Sequence, residues 1–193
     1  GMLDGTTRVH RGDEDVLVMT QLGCMAEECI APAISCVKIS EDIPLSSAAL
    51  IGCGVMTGVG AAINAANVQP GTTAVIFGCG GIGLSAIQGA RIAGATQVIA
   101  VDTLPAKLDM AKEFGATHGC LLEEAHEFIL GLTENRGADY CFEAVGITDL
   151  MQTAEMCTRP GGTCTVIGVG RMDEQFVLNP LLLPILAKKV QGT

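Results

Sequence analysis

The sequence has no tryptophan, one tyrosine and five phenylalanines, so aromatic residues make up only 3% of its 193 positions. That scarcity argues against a platform for stacking nucleic-acid bases or sugar rings. Basic side chains are few as well, 11 Lys and Arg against 21 Asp and Glu, for a formal net charge of −10. An acidic surface disfavours nucleic acid and anionic membranes, both of which need a basic face. A polyphosphate ligand stays open, because backbone N–H groups at a helix start bind phosphate without Lys or Arg. Histidine occurs three times and in no ligand-like setting. His10 lies in a charged turn among Arg8, Arg11 and Asp13, His118 opens an expected strand, and His126 sits in an acidic helix. No two of the nine cysteines have C-x-x-C spacing, and most lie in apolar runs such as Val75-Ile76-Phe77-Gly78-Cys79. They are expected to be reduced thiols packed as small hydrophobes, not a disulfide framework. No secretion signal is read, and no uncharged apolar run long enough to span a bilayer is expected. Together these point to a soluble, cytoplasmic chain.

What is present is apolar. Residues of that kind make up 49% and charged residues 17%, which excludes disorder and allows a sizeable core. Residues 3–40 contain short strand-like pieces at 16–19, 28–31 and 36–39, separated by Gly, Pro and Ser. Three short strands lack a partner face, so residues 1–45 are expected to be a remnant of a β-rich domain. An Ala- and Gly-rich helical stretch follows, from Pro44 to about Val68. Residues 46–193 are expected to form a second, nucleotide-binding unit. Within it, strands are expected at 73–77, 97–101, 118–122, 138–143, 162–168 and 188–192. Helices are expected between them at 82–93, 105–114, 123–132, 148–156 and 180–187. Such alternation with nearly continuous apolar strands implies a doubly wound, six-stranded parallel sheet of the Rossmann type, with helices on both faces.

Gly78-Cys79-Gly80-Gly81-Ile82-Gly83 is a G-x-G-x-x-G that directly follows an apolar strand and opens an Ala-rich helix. In that setting Gly78 allows the tight turn, Gly80 lets a pyrophosphate approach the backbone, and Gly83 lets helix and strand pack closely. Gly81 and Ile82 supply N–H groups at the positive end of the helix. A plain glycine-rich turn is the competing reading. Asp102 follows Gly83 by 19 residues, at the end of the second strand. A carboxylate there can accept hydrogen bonds from an adenosine ribose and would repel a 2′-phosphate. The Thr103-Leu104-Pro105 that follows offers no Arg to receive one. Asp102 also reads as a helix cap. Lys107, one turn into the next helix, reads either as a ribose or phosphate contact or as a solvated surface lysine.

Three further stretches carry a family likeness. They are Gly52-Cys53-Gly54-Val55-Met56-Thr57-Gly58-Val59-Gly60, Phe114-Gly115-Ala116-Thr117, and Gly137-Ala138-Asp139-Tyr140-Cys141-Phe142-Glu143-Ala144-Val145-Gly146. With Pro160-Gly161-Gly162 and the dinucleotide loop, they make the chain closely resemble the zinc-dependent medium-chain alcohol dehydrogenases. Asp4-Gly5-Thr6-Thr7-Arg8 and Pro180-Leu181-Leu182-Leu183 point to the class III, formaldehyde-dehydrogenase-like or aryl-alcohol branch.

The resemblance implies NAD and zinc as cofactors, an alcohol or aldehyde as substrate, and pairing into a homo-oligomer. It implies Cys53 as one ligand of the catalytic zinc and Thr57 as a catalytic residue near the nicotinamide. Val145, Gly146, Gly168 and Val169 would be contacts of the nicotinamide ribose and carboxamide. Residues 1–45 would then be the remnant of a GroES-like catalytic domain. The family's remaining zinc ligands, a Cys and a Gly-His-Glu, are expected upstream of Leu3, so the chain is expected to bind coenzyme without turning over alcohol. Without the resemblance, Cys53 reads as a buried structural thiol. A zinc-free reductase of the same superfamily, a non-enzymatic NAD-binding module and a methyltransferase are the alternatives.

Overall fold

The computed structural model describes residues 5–16 and 25–193. The chain falls into two units, Gly1–Leu45 and Ser46–Thr193, each of which is described by itself. In the first, His10–Arg11 pairs antiparallel with Glu14–Asp15 across a turn that includes Gly12. Thr7 Oγ1 donates to the Val16 carbonyl at 2.8 Å, and the His10 ring meets Asp15 at 2.9 Å. The strands expected at 28–31 and 36–39 do not form; that stretch holds bends and one short 3-10 turn, Ala33–Ser35. Their apolar side chains, such as Ile30 and Val37, are exposed. A strand needs a neighbour to satisfy its backbone, and among the described residues neither piece has one. Most of the piece expected at 16–19 lies outside the described residues.

The second unit opens at Ser46, the second residue of α1, Leu45–Ala65, which contains two π-helical turns, Ile51–Val55 and Ala61–Ala65. Six strands follow: β1 Thr73–Phe77, β2 Gln97–Asp102, β3 His118–Leu121, β4 Ala138–Glu143, β5 Thr158–Val166 and β6 Lys189–Gly192. The helices between them are α2 Gly81–Ile92, α3 Pro105–Glu113, α4 Ala125–Leu132, α5 Thr148–Cys157 and the short α6 Leu182–Ile185. All six strands are parallel, in the order β3-β2-β1-β4-β5-β6. The chain therefore winds outward from β1 to one edge, then returns to the other side of β1 with β4. Ligands bind at the crevice such a reversal leaves at the carboxyl ends of the strands.

Alternate side chains of each strand serve the two faces. Ala74, Ile76, Val98, Ala100 and Phe142 pack with α1, α2 and α3 on one side. Val75, Phe77, Ile99, Val101 and Cys141 pack with α4 and α5 on the other. Each fully buried Val, Ile or Phe contributes roughly 1.5–3 kcal/mol over leaving it exposed. β5 starts earlier than expected, at Thr158, with a register shift opposite Ala138–Tyr140. The helix expected at 180–187 shrinks to α6, because Pro184 lies inside it and Ala187 turns the chain at φ +49°.

The expectation that no uncharged apolar run reaches membrane-spanning length does not hold. α1 has 21 residues with a mean hydropathy of 1.6 over its most apolar window, enough to cross a bilayer by length and composition alone. Its inner face packs within the unit: Ala61 and Ala62 are fully buried, while Leu45, Leu50 and Met56 remain exposed. Small residues set the helix–helix distance. A Cβ on Gly58 would stand 2.3 Å from the Ile82 carbonyl, and one on Gly89 2.9 Å from Val59 Cα.

Eight cysteines fall among the described residues, all free; Cys79, Cys120, Cys141, Cys157 and Cys164 are buried and Cys29, Cys36 and Cys53 exposed. Burial pushes Cys120 up to about 11 and Cys79, Cys157 and Cys164 up to about 12, and raises Cys141 as well. Below pH 9 both folded and unfolded chains keep these protons, so the contribution is fully present there. As pH rises from the ordinary thiol value of 9.0 toward about 12, only the unfolded chain releases them and stability falls. Native protein at neutral pH is expected to lose Cys29, Cys36 and Cys53 to a thiol-alkylating reagent while the five buried cysteines react only after denaturation. Peptide mapping of alkylated chain checks this, and rapid native labelling of Cys141 or Cys164 would contradict it.

Candidate functional site

The carboxyl ends of β1, β2 and β4 meet at one cleft of about 160 Å³, lined by Gly78, Val101, Asp102, Thr103, Lys107, Leu122, Val145, Ile147 and Leu150. The structure thus brings together Gly78, Asp102, Lys107 and Val145, which the sequence had singled out separately. Thr103, Leu122, Ile147 and Leu150 were not anticipated. Thr103, Leu122 and Ile147 lie in the segments that follow strands, Leu150 in the first turn of α5, and no side-chain chemistry marks them in the sequence.

The loop between β1 and α2 is built for close approach. Gly78 adopts φ +94°, a region L side chains rarely enter, and its N–H donates to the Val101 carbonyl at 2.8 Å. A Cβ on Gly83 would lie 1.8 Å from the Gly78 carbonyl oxygen, so only glycine allows the helix to start this close to the strand. Around Gly80 and Gly81 the opposite holds, with nothing within 4 Å of an added Cβ. Gly80 caps α2 without any side-chain cap. The N–H groups of the first turn, which include those of Gly81, Ile82 and Gly83, have no intrahelical partner. The surface in front of them is open, and the helix end carries partial positive charge. These are the donors a diphosphate requires.

Asp102 is buried at the end of β2. Its Oδ2 accepts the Cys79 N–H at 2.8 Å and its Oδ1 the Leu104 N–H at 3.1 Å, while Lys107 Nζ lies 3.7 Å from Oδ2. The helix-cap reading is therefore half right: Asp102 braces the turn two residues on, although the cap position of α3 is Leu104. A carboxylate has about four acceptor sites, so two backbone bonds leave capacity for ribose hydroxyls. Cys79, beside it, is buried, and its thiol is pushed up to about 12 by burial first and by the Asp102 charge second, which leaves it protonated and inert.

Across β1, the β4–α5 and post-β5 turns meet. A Cβ on Gly168 would sit 2.0 Å from Gly146 N, and one on Gly146 2.5 Å from the Val169 carbonyl. Val145 and Val169 are exposed apolar side chains on these turns, Val169 at 93%. Glu143, the last residue of β4, is fully buried, and its Oε1 accepts the N–H groups of Val145 at 2.9 Å and Gly146 at 2.7 Å. The sequence reading had quoted Glu143 only as part of a family stretch. A charged residue directly after the apolar Cys141-Phe142 at the end of the strand was the signal that could have found it.

A family model described as zinc-binding dehydrogenase matches residues 81–193. The chain belongs to the zinc-binding dehydrogenase family. It is 36% identical over 187 residues to class-3 alcohol dehydrogenase of Myxine glutinosa, covering 94% of this chain and 50% of that protein. It is also 36% identical over 198 residues to S-(hydroxymethyl)glutathione dehydrogenase of Synechocystis sp., covering 100% of this chain and 53% of that one. The crystal structure of benzyl alcohol dehydrogenase from Acinetobacter calcoaceticus superposes with a TM-score of 0.77 at 31% identity, over 81% of this chain and 44% of the other. The chain spans about half the length of the curated relatives it matches.

Zinc fits this zinc-binding dehydrogenase chain less well than a dinucleotide does. Cys53 is exposed in the first π turn of α1, which corrects its reading as a buried thiol. Among the described residues no group of three or more His, Cys, Asp or Glu is placed to hold a metal ion. His10 and His118 are engaged elsewhere, with Asp15 and Thr117 respectively. Thr57 does not line the cleft at Asp102. It lines a separate hollow with Met56, Gly60, Asn64, Ala65 and Thr193. Its neighbour Gly58 packs against Ile82 and Ser85, so α1 crosses the very start of α2.

Proposed function

We propose that this chain is the coenzyme-binding part of an NAD-dependent zinc alcohol dehydrogenase, an oxidoreductase that moves hydride between NAD and an alcohol or a hydroxymethyl-thiol adduct. The observation that carries the reading is the glycine loop whose Cys79 N–H is held by the buried carboxylate of Asp102. When bound, NAD supplies the hydride-accepting ring. The residues of this chain bind and orient it. The α2 N-terminus offers N–H groups to the diphosphate, Asp102 accepts from the adenosine ribose, and Lys107 stands beside that carboxylate to balance its charge. The turns of Val145–Gly146 and Gly168–Val169 form the far wall, where the nicotinamide half would lie. Cys53 and Thr57 enter the proposal by family likeness, as a metal ligand and a catalytic residue. A single thiolate does not complete a tetrahedral zinc site, so no step here depends on the metal.

An association between copies of this chain belongs to the same reading. β6 is an edge strand, and Leu181, Leu182 and Ile185 just before it are exposed. Edges of this kind pair unless covered. Sedimentation is expected to show a dimer or larger species, and a strict monomer at high concentration would count against it. The free thiols among the described residues suit a reducing compartment such as the cytoplasm.

Coenzyme choice tests the core of the proposal. Calorimetric titration is expected to show tighter binding of NAD than NADP, because Asp102 repels a 2′-phosphate. Asp102→Ala is expected to weaken NAD by about tenfold, through lost ribose and Cys79 bonds, and to narrow the gap to NADP. Equal binding of both coenzymes by the unaltered chain would overturn the ribose assignment.

A further inference from the structure

Glu143, buried behind the cleft, holds the turn that carries Val145. Its Oε1 takes the N–H groups of Val145 and Gly146, at 2.9 and 2.7 Å. Its own backbone carbonyl accepts the N–H groups of Ile167 at 2.8 Å and Gly168 at 3.1 Å, from the turn after β5. The next residue, Ala144, donates its N–H to the Phe77 carbonyl at the end of β1. One residue therefore joins both turns of the far wall, and its neighbour joins them to the strand that carries the glycine loop. The close contact of Gly168 with Gly146 depends on this clamp, since neither glycine has a side chain to hold it in place.

The price of the arrangement is visible in the same carboxyl group. Glu143 is fully buried, and its Oε2 is the one buried side-chain polar atom among the described residues without a hydrogen-bond partner. An unsatisfied buried oxygen of this kind costs about 1–3 kcal/mol. An apolar side chain of similar shape would remove that unpartnered oxygen but would leave the Val145 and Gly146 N–H groups without an acceptor. What an apolar side chain cannot do is accept two adjacent N–H groups and so fix the orientation of the Val145–Gly146 peptide.

We infer that Glu143 is a positioning residue for the nicotinamide half of the coenzyme: it sets the Val145–Gly146 and Ile167–Gly168 turns against which that half rests. The inference rests on the NAD reading above. It makes a distinction that the glycine loop and Asp102 do not, because those groups address only the adenosine diphosphate part.

The test uses the 193-residue chain and two ligands, NADH and ADP, which lacks the whole nicotinamide riboside half. Glu143→Asp withdraws the carboxyl by one methylene and is expected to weaken NADH on the order of tenfold, while ADP changes by less than about twofold. Glu143→Gln keeps an oxygen at the Oε1 position and is expected to restore NADH affinity to within about threefold of the original. Parallel loss of both ligands in Glu143→Asp, or undiminished NADH binding, would overturn the inference. Failure of the unaltered chain to bind either ligand would instead overturn the NAD reading itself. Should Glu143→Asp not fold, amide exchange in the unaltered chain decides. NADH is expected to slow exchange at Gly146 and Gly168 and ADP to leave it unchanged; equal effects of the two ligands would refute the positioning role.

Discussion

The hydrogen bond from Cys79 N–H to Asp102 Oδ2, 2.8 Å long and buried, is the contact on which the rest of the site depends. It ties a loop made almost wholly of glycine to the end of a neighbouring strand. Glycine pays more conformational entropy on ordering than other residues. A loop of this composition stays in one shape only if its backbone groups are held from outside. Asp102 does this on the β2 side, and the Gly78 N–H to Val101 bond adds a second anchor. The loop can then offer its unpaired N–H groups outward from α2 without reorganising when an anion arrives.

Glu143 answers Asp102 across β1. Both are acidic residues at the last position of their strands, both are buried, and both accept backbone N–H groups of the turn beside them. The fold thus uses two carboxyl groups to pin the two walls of a crevice that the winding order of the sheet opens anyway. Asp102 has a cation 3.7 Å away in Lys107, whereas Glu143 has an oxygen with no partner. That asymmetry separates a group available to ligand hydroxyls from one that works through the backbone.

Much of this was legible in the sequence, and for a physical reason. Strands such as Val98-Ile99-Ala100-Val101 are apolar on both faces only because helices cover both, so continuous apolar runs announce a parallel sheet. The glycine spacing at 78, 80 and 83 announced the loop because steric exclusion at Gly83 tolerates no other residue. What failed depended on partners a single sequence does not display. Residues 28–31 and 36–39 have strand-like composition but no neighbour to pair with among the described residues. The helix of α1 was expected at about its observed place, but its capacity to span a bilayer by length and composition was not, because its many glycines and alanines read as packing material. Cys53, which would read as a buried thiol without the family likeness, lies exposed on that helix. Glu143 was in plain view, but only the structure shows how many backbone groups it collects.

Membership of the zinc-binding dehydrogenase family and the geometry of the cleft are the two grounds of the proposal that this chain binds a dinucleotide. The most direct measurement is a titration of isotopically labelled chain with NADH, followed by backbone amide shifts. The account predicts large shifts at Gly80, Gly81, Ile82 and Gly83, at Thr103 beside Asp102, and at Val145, Gly146 and Gly168. Shifts confined to other surfaces, or none at saturating NADH, would contradict it.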